Sequence, residues 1–333
     1  MFGYVLRRML ISVVVLFAAS LLSFVMVSSL GDPLAGYKAR QPAPSAEQVA
    51  LKRHQLKLDR PILWRYGQWL GKFVRGDMGD TLQGQSVSGQ LGAAFWVTMR
   101  MSLASVLLSI VLALVTGVYS AVRQYSFSDY VSTFASFVFL SMPVFWLALL
   151  LKRTSITWIN HPNFFGWHPW NATIVYTSGE SSPVLEHSFW ARMGDYGGHL
   201  LLPTIALALV TYASWSRYQR AEMLDVLSSD YVRLARAKGV EPSRVLTRHA
   251  LRNALIPFVT VVAIDVGSVI AGAVITEIVF GWHGMGIELI TAITQYDPNL
   301  LLAWLMITGI FVIAFNLLAD VLYGVLDPRS RTT

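Results

Sequence analysis

The chain has 333 residues, of which 54% are hydrophobic and only 14% charged, and its formal net charge is +7. A soluble domain of this size carries far more charge, so the balance points to an integral membrane protein. There is no cysteine, which excludes disulfide and thiolate chemistry. The excess Lys and Arg sit in interhelical loops without a nucleic-acid motif, so their expected partner is membrane lipid and no nucleic acid.

A spanning helix needs roughly 20 apolar residues. Six stretches qualify: residues 10–30, 101–122, 130–151, 199–215, 255–280 and 300–326. The first follows Arg7 and Arg8, yet its apolar run is too long for a signal peptide and no small-x-small cleavage site precedes Gly31. It reads as an uncleaved anchor. The fourth is the weakest, being short and carrying Pro203. Arg7 and Arg8, the basic loop between spans four and five, and Arg329 and Arg331 fall on one side of an even number of spans. The positive-inside rule makes that side cytoplasmic, with both termini there.

Residues 31–96 are then expected outside as a structured segment, although they carry many Lys and Arg. Loops longer than ~60 residues translocate largely regardless of charge. Ser45 and Gln48 have capping-box spacing. Ile62, Leu63, Tyr66, Trp69, Leu70 and Phe73 follow a helical stripe. The core membrane domain is expected over residues 97–326, with 1–30 as N-terminus and first span and 327–333 as a cytoplasmic tail. Within it, the outer loop 152–198 is rich in Trp (Trp158, Trp167, Trp170, Trp190), as an interfacial aromatic belt or as a surface shaped for a partner or substrate. After span five, Gly281, Gly284 and Gly286 surround Trp282, predicting a tight turn and a short helix dipping towards the membrane. Irregular backbone at that depth is tolerated where it lines a cavity or is covered by protein, as in an outer gate.

The loop 216–254 concentrates charge between two apolar runs. Eight basic residues from Arg217 to Arg252 are mixed with Glu222, Asp225, Asp230 and Glu241, and Gly239 and Pro242 interrupt it. Gly permits φ > 0 and Pro suits the first turn of a new helix. The expected geometry is helix, sharp bend at 239–241, a short helix around 240–252, and re-entry at Ile256–Pro257. Topology alone requires neither the break nor the acids, so the loop reads as a docking element.

This loop resembles that of binding-protein-dependent ABC importer permeases, and more closely the dipeptide/oligopeptide branch. The resemblance is carried by Ala235-Arg236-Ala237-Lys238-Gly239 and Arg248-His249-Ala250-Leu251-Arg252-Asn253-Ala254, ending at Pro257. Arg233 stands where the general permease motif begins with an acid, as it often does in the peptide branch. Further similar runs are Leu58-Asp59-Arg60-Pro61, Gly76-Asp77-Met78-Gly79, Ser141-Met142-Pro143-Val144-Phe145-Trp146, Glu277 with the glycine-rich turn, and Leu318-Ala319-Asp320-Val321-Leu322-Tyr323. The resemblance thus covers nearly the whole chain. It implies an all-α fold of six transmembrane helices with a cytoplasmic coupling helix between helices four and five. It also implies a second homologous permease, two cytoplasmic ATPase subunits that carry ATP and Mg, and an extracytoplasmic substrate-binding protein. The cargo implied is di- or oligopeptide, with nickel, glutathione or haem as alternatives. Arg236, Ala237, Lys238, Gly239, Val240, Glu241, Pro242, Arg244 and Arg248 would form the ATPase-coupling surface.

Covalent chemistry finds no support. The chain lacks the G-x-x-x-x-G-K-[ST] phosphate loop, H-E-x-x-H and G-x-S-x-G, so no catalytic residue, cofactor or metal site is expected on it. His161 and His168 share a loop without a metal pattern, and Asn171-Ala172-Thr173 is a sequon of low specificity. Asp265, mid-span, and Ser268 on the same face are either part of a translocation path or interhelical packing contacts. Met142, Glu277 and Trp282 are the remaining path or gate candidates. Asp320, near a span end, reads as structural. A channel or secondary transporter using Asp265 and Glu277 as ion sites is the other class open to this sequence, although no inverted repeat is visible.

Overall fold

A computed structural model describes residues 2–29, 34–38, 42–55, 58–159, 175–182 and 188–326. Among these the regular secondary structure is helical, with one isolated antiparallel bridge between Asp80 and Ser86. The helices are α1 (Phe2–Ser29), α2 (Ala35–Lys38), α3 (Ala46–Gln55), α4 (Ile62–Val74), α5 (Val87–Val122), α6 (Phe127–Ser141) and α7 (Val144–Thr154). Then come α8 (Phe189–Ser228), α9 (Asp230–Ala237), α10 (Pro242–Arg244), α11 (Arg252–Gly272), α12 (Val274–Phe280), α13 (Met285–Thr294) and α14 (Pro298–Leu326). Wider π-type turns occupy Ser155–Ile159 and Val245–Leu251.

Among the described residues five helices are long and apolar enough to cross a membrane, and a sharply bent pair brings the number to six if it is counted as one span. The pair is α6 and α7, over the stretch 130–151 where the sequence predicts a single span. Its halves meet at 107°. Pro143 causes the break: a residue before proline is pushed out of the helical region, and Met142 is extended at φ −85, ψ 126. Three other spans also differ from expectation. The second starts at Val87, well before residue 101. The fourth is not short but a 40-residue helix that keeps Pro203 in its interior. The fifth ends at Gly272 and resumes as α12 after Ala273. Both long helices continue past their apolar windows as amphipathic segments, which a search for apolar runs does not register.

The helix expected around 240–252 is also not a separate element. Residues Pro242–Gly267 run as one apolar helical stretch, and Pro257 lies inside α11. Proline removes one backbone donor, and neighbouring helices tolerate that in a membrane bundle.

The chain divides into two compact units. The first is built on Met99–Trp282. Here α5, α6 and α8 pack through small residues: a Cβ on Gly117 would come within 2.8 Å of the Ser216 carbonyl oxygen. Ser109 Oγ donates to the Ala208 carbonyl at 3.1 Å, and the Ser136 and Ser216 hydroxyls pair at 3.0 Å. Without a strong hydrophobic force between helices in lipid, such close approach and hydroxyl bonding are what hold them.

The second unit is built on Leu6–Thr98 and His283–Ala314. The capping box is present: Ser45 N–H donates to Gln48 Oε1 at 2.9 Å and Gln48 N–H to Ser45 Oγ at 3.2 Å. The apolar stripe on α4 begins at Tyr66, since Ile62 and Leu63 are exposed. Tyr66, Trp69 and Leu70 pack with Phe24 and Val27 of α1 and Leu302 of α14. Asp297 caps α14, accepting from the Asn299 and Leu300 amides at 3.1 Å, and also from the Leu82 amide. Trp304 Nε1 donates to the Met285 carbonyl and so seats α13 at 2.7 Å.

Candidate functional site

The basic loop is built from an amphipathic helix and a glycine stop. Asp230 sits in the first turn of α9 and Arg236 in its last, the arrangement that suits the helix dipole. Gly239 ends it in the left-handed region at φ +74. Its amide donates to Arg236 O at 3.0 Å and the Val240 amide to Ala235 O at 3.2 Å. That pair of hydrogen bonds is a Schellman cap, which a residue without Cβ accommodates best. Pro242 then takes the N-terminal position of α10.

One face of the loop is buried. Val232, Ala235, Val245, Ala250 and Ala254 form a cluster with Met223 and Val226 of α8 and Ala121 of α5. Asn253 Nδ2 donates to Tyr231 Oη at 3.1 Å and ties α9 to the next segment. The other face is exposed: Arg236, Ala237, Lys238, Gly239, Glu241, Pro242, Arg244 and Arg248 all lie on it, with Val240 partly covered. Leu234 and Tyr231 are also exposed, at 55% and 44%. A shallow hollow of about 560 Å³ is lined by Glu241, Ser243, Arg244, Thr247, Arg248 and Arg252. The loop is thus a cationic, partly apolar face, mounted rigidly on the end of α8.

The intramembrane candidates separate into two places. Asp265 on α11 accepts from the indole N–H of buried Trp215 at 2.8 Å, an interhelical bond of the packing kind. Ser268 lies on the same helix, and its side chain falls outside the described residues. Glu277 and Trp282 belong together. Both are buried, and the Trp282 amide donates to the Glu277 carbonyl at 2.9 Å across the left-handed Gly281 (φ +65). A second strand of contacts reaches this turn from the segment Val175–Ser182, where the Gly179 amide donates to Phe280 O at 2.8 Å. That segment is anchored on α8 by the Tyr176 ring stacked 4.0 Å from His199 and by Ser182 donating its amide to Asp195 at 2.9 Å. Lys152 of α7, the first residue of the expected 152–198 loop, donates to Val279 O at 2.9 Å. Met142 sits at the α6–α7 break, partly buried. Of the aromatic residues in the 152–198 loop, Trp167 and Trp170 lie outside the described residues, as do His161, His168 and the sequon at Asn171.

One constellation was not singled out from sequence. Asp129, at the start of α6, is 3% exposed and takes both Arg220 Nε and Nη2 at 2.8 Å. It also accepts from Ser120 Oγ and from the Tyr125 amide at 2.9 Å. Tyr125 holds a positive φ of 64 in the α5–α6 turn. In sequence the only signal is Ser126-x-x-Asp129, an N-cap pattern; nothing in it points to Arg220.

Two family profiles match, and together they run through the whole chain. Residues 1–118 match the N-terminal part of the binding-protein-dependent transport system membrane component, and residues 113–332 match the binding-protein-dependent transport system inner membrane component. The chain belongs to this permease family. It is therefore a multi-pass transport subunit of the ABC importer type. It is 40% identical, over 99% of both chains, to the oligopeptide transport system permease protein OppB of Mycobacterium tuberculosis. It is 35% identical over the same shares to the oligopeptide permease protein AppB of Bacillus subtilis, and 34% to the di/tripeptide permease protein DppB of Pseudomonas aeruginosa.

Proposed function

We propose that this permease is one of two homologous membrane subunits of an ATP-driven importer of di- and oligopeptides in a prokaryotic cytoplasmic membrane. Both termini and the 216–254 loop face the cytoplasm. There the exposed face from Arg236 to Arg248 docks on an ABC ATPase, which binds ATP and Mg²⁺. The observation that carries this reading is the loop itself, in which a cationic outer face is backed by an apolar inner face packed on α8 and α5. The peptide cargo is supported by the names of relatives that match along their full length.

Transport proceeds by alternating access. Closure of the ATPases draws the docking faces together, and the helices joined to them carry that motion to the turn at Glu277–Trp282. Such coupling needs an element with two states that both sites bias, and the bundle is that element. Asp265 serves as a packing group in this scheme, since its carboxylate already accepts the Trp215 indole N–H.

The test is to tag the chain, extract it gently from its native membrane and identify what copurifies. A second permease, ATPase subunits and a peptide-binding protein are expected. Recovery of the chain alone in several detergents, with nucleotide present, would overturn the assignment.

A further inference from the structure

At the Ser29 end of α1 the second unit holds a hollow of about 410 Å³, with Lys52, Arg65, Lys72, Asp77 and Asp80 in its wall. A smaller lobe of about 200 Å³ shares Arg65 and Lys72 and adds Trp69. Its polar groups do not balance. Arg65 is half-buried on α4, its guanidinium carbon lies 5.9 Å from the Phe24 ring, and it forms no ion pair among the described residues. Burial lowers its pKa with nothing opposing the shift. The Trp69 indole N–H is buried and has no acceptor among the described residues. Lys52 forms no ion pair among the described residues. Lys72 is answered by Asp77 at 3.6 Å, and Asp77 also accepts the Gly79 amide at 2.9 Å.

A buried donor left unmet is costly, and a guanidinium beside an indole N–H and an ammonium matches an anion with several acceptor oxygens. We infer that this hollow binds the phosphate of a membrane phospholipid headgroup. The membrane is the source because the walls are those of a membrane interface. α1 is itself a candidate span, with Leu22 and Met26 exposed near this end. α4 is amphipathic and leaves Leu63, Trp64 and Val74 exposed at 67%, 41% and 78%. Aromatic and cationic side chains on such a helix mark the headgroup layer, where basic pockets hold headgroups. The Asp80 carboxylate in the same wall supplies an acceptor for an alcohol or ammonium group held several bonds beyond the phosphorus, which a headgroup has and free phosphate lacks.

The test uses the full chain extracted with its partner subunits, delipidated and reloaded from phosphatidylglycerol, phosphatidylethanolamine or phosphatidylcholine. Bound lipid is then counted by native mass spectrometry. Wild type should retain phospholipid through washing. Arg65→Gln should reduce retention at least fivefold, and Trp69→Phe, which keeps the ring and loses the donor, should reduce it less. Arg53→Gln, whose guanidinium faces Asp59 at 4.0 Å outside the hollow, should leave it unchanged. A parallel arm follows thermal unfolding with inorganic phosphate alone. Protection that depends on Arg65 there, with no lipid retained, would overturn the lipid as the source and leave a free-anion site. Equal retention in wild type, Arg65→Gln and the charge-keeping Arg65→Lys, all folded by the same thermal criterion, would overturn the site.

Discussion

Asp129 and Arg220 illustrate how one residue pair can hold a membrane bundle in register. The carboxylate is buried and receives four donors, whereas the Arg220 side chain keeps 26% of its surface exposed. Removing one partner of a fully buried pair costs about 3–5 kcal/mol; the partial exposure of Arg220 puts Asp129→Ala nearer about 2–4 kcal/mol. Arg220→Ala should cost a similar amount, because it strands the buried carboxylate. The double variant should then be less damaged than the sum of the two, by roughly 0.5–3 kcal/mol. Thermal unfolding of the three purified variants measures this directly. Additive losses would mean that the two groups act independently, and the clasp would be abandoned as a unit.

At the scale of elements, the turn between α12 and α13 shows why a glycine is required. Gly281 sits at φ +65, and a Cβ placed there would lie 3.1 Å from Ser178 Oγ. Gly281→Ala therefore adds about 1–2 kcal/mol of backbone strain and pushes away the Val175–Ser182 segment. The expected result is loss of amide exchange protection at Gly179, whose hydrogen bond to Phe280 O joins that segment to the turn. Unchanged protection would show that the segment is held by Tyr176 and Asp195 alone. The glycine-rich turn and the short helix after it were legible in the sequence because glycine and an apolar stretch act locally. The capping box at Ser45 and the stop at Gly239 were legible for the same reason. The sharp bend was only half legible: Pro143 signals a break, but the angle is set by α7 packing on α8 and α12. The Asp129–Arg220 pair was not legible, since its members lie 91 residues apart and each looks like an ordinary charge at a membrane edge. The continuity of Pro242–Gly267 was hidden as well, because its first turns carry charge on one face only.

For the molecule as a whole, the question is whether the basic loop docks a partner or only orients the chain. Both readings use its cations, and they differ in what charge reversal does. If the loop merely sets topology, Arg236→Glu with Arg248→Glu should disturb insertion in proportion to the charge changed, and changing Arg7 and Arg8 near the N-terminus should act in the same way. Docking makes the effect local. Arg236 and Arg248 stand on the exposed face of a segment whose opposite face is fixed by Val232, Val245 and Ala250, so reversal alters the surface without disturbing its mounting. The expected outcome is normal insertion and a normal unfolding midpoint, with ATPase recovery in copurification falling at least tenfold. Arg7→Glu with Arg8→Glu should leave that recovery intact once inserted. Wild-type association should also weaken as salt rises, because exposed charges are screened beyond about 8 Å at physiological ionic strength. Gly239→Ala separates shape from charge: it keeps every cation but strains the cap, and should reduce coupled transport more than binding. Full uptake by the double charge reversal would leave the loop with no role beyond orientation.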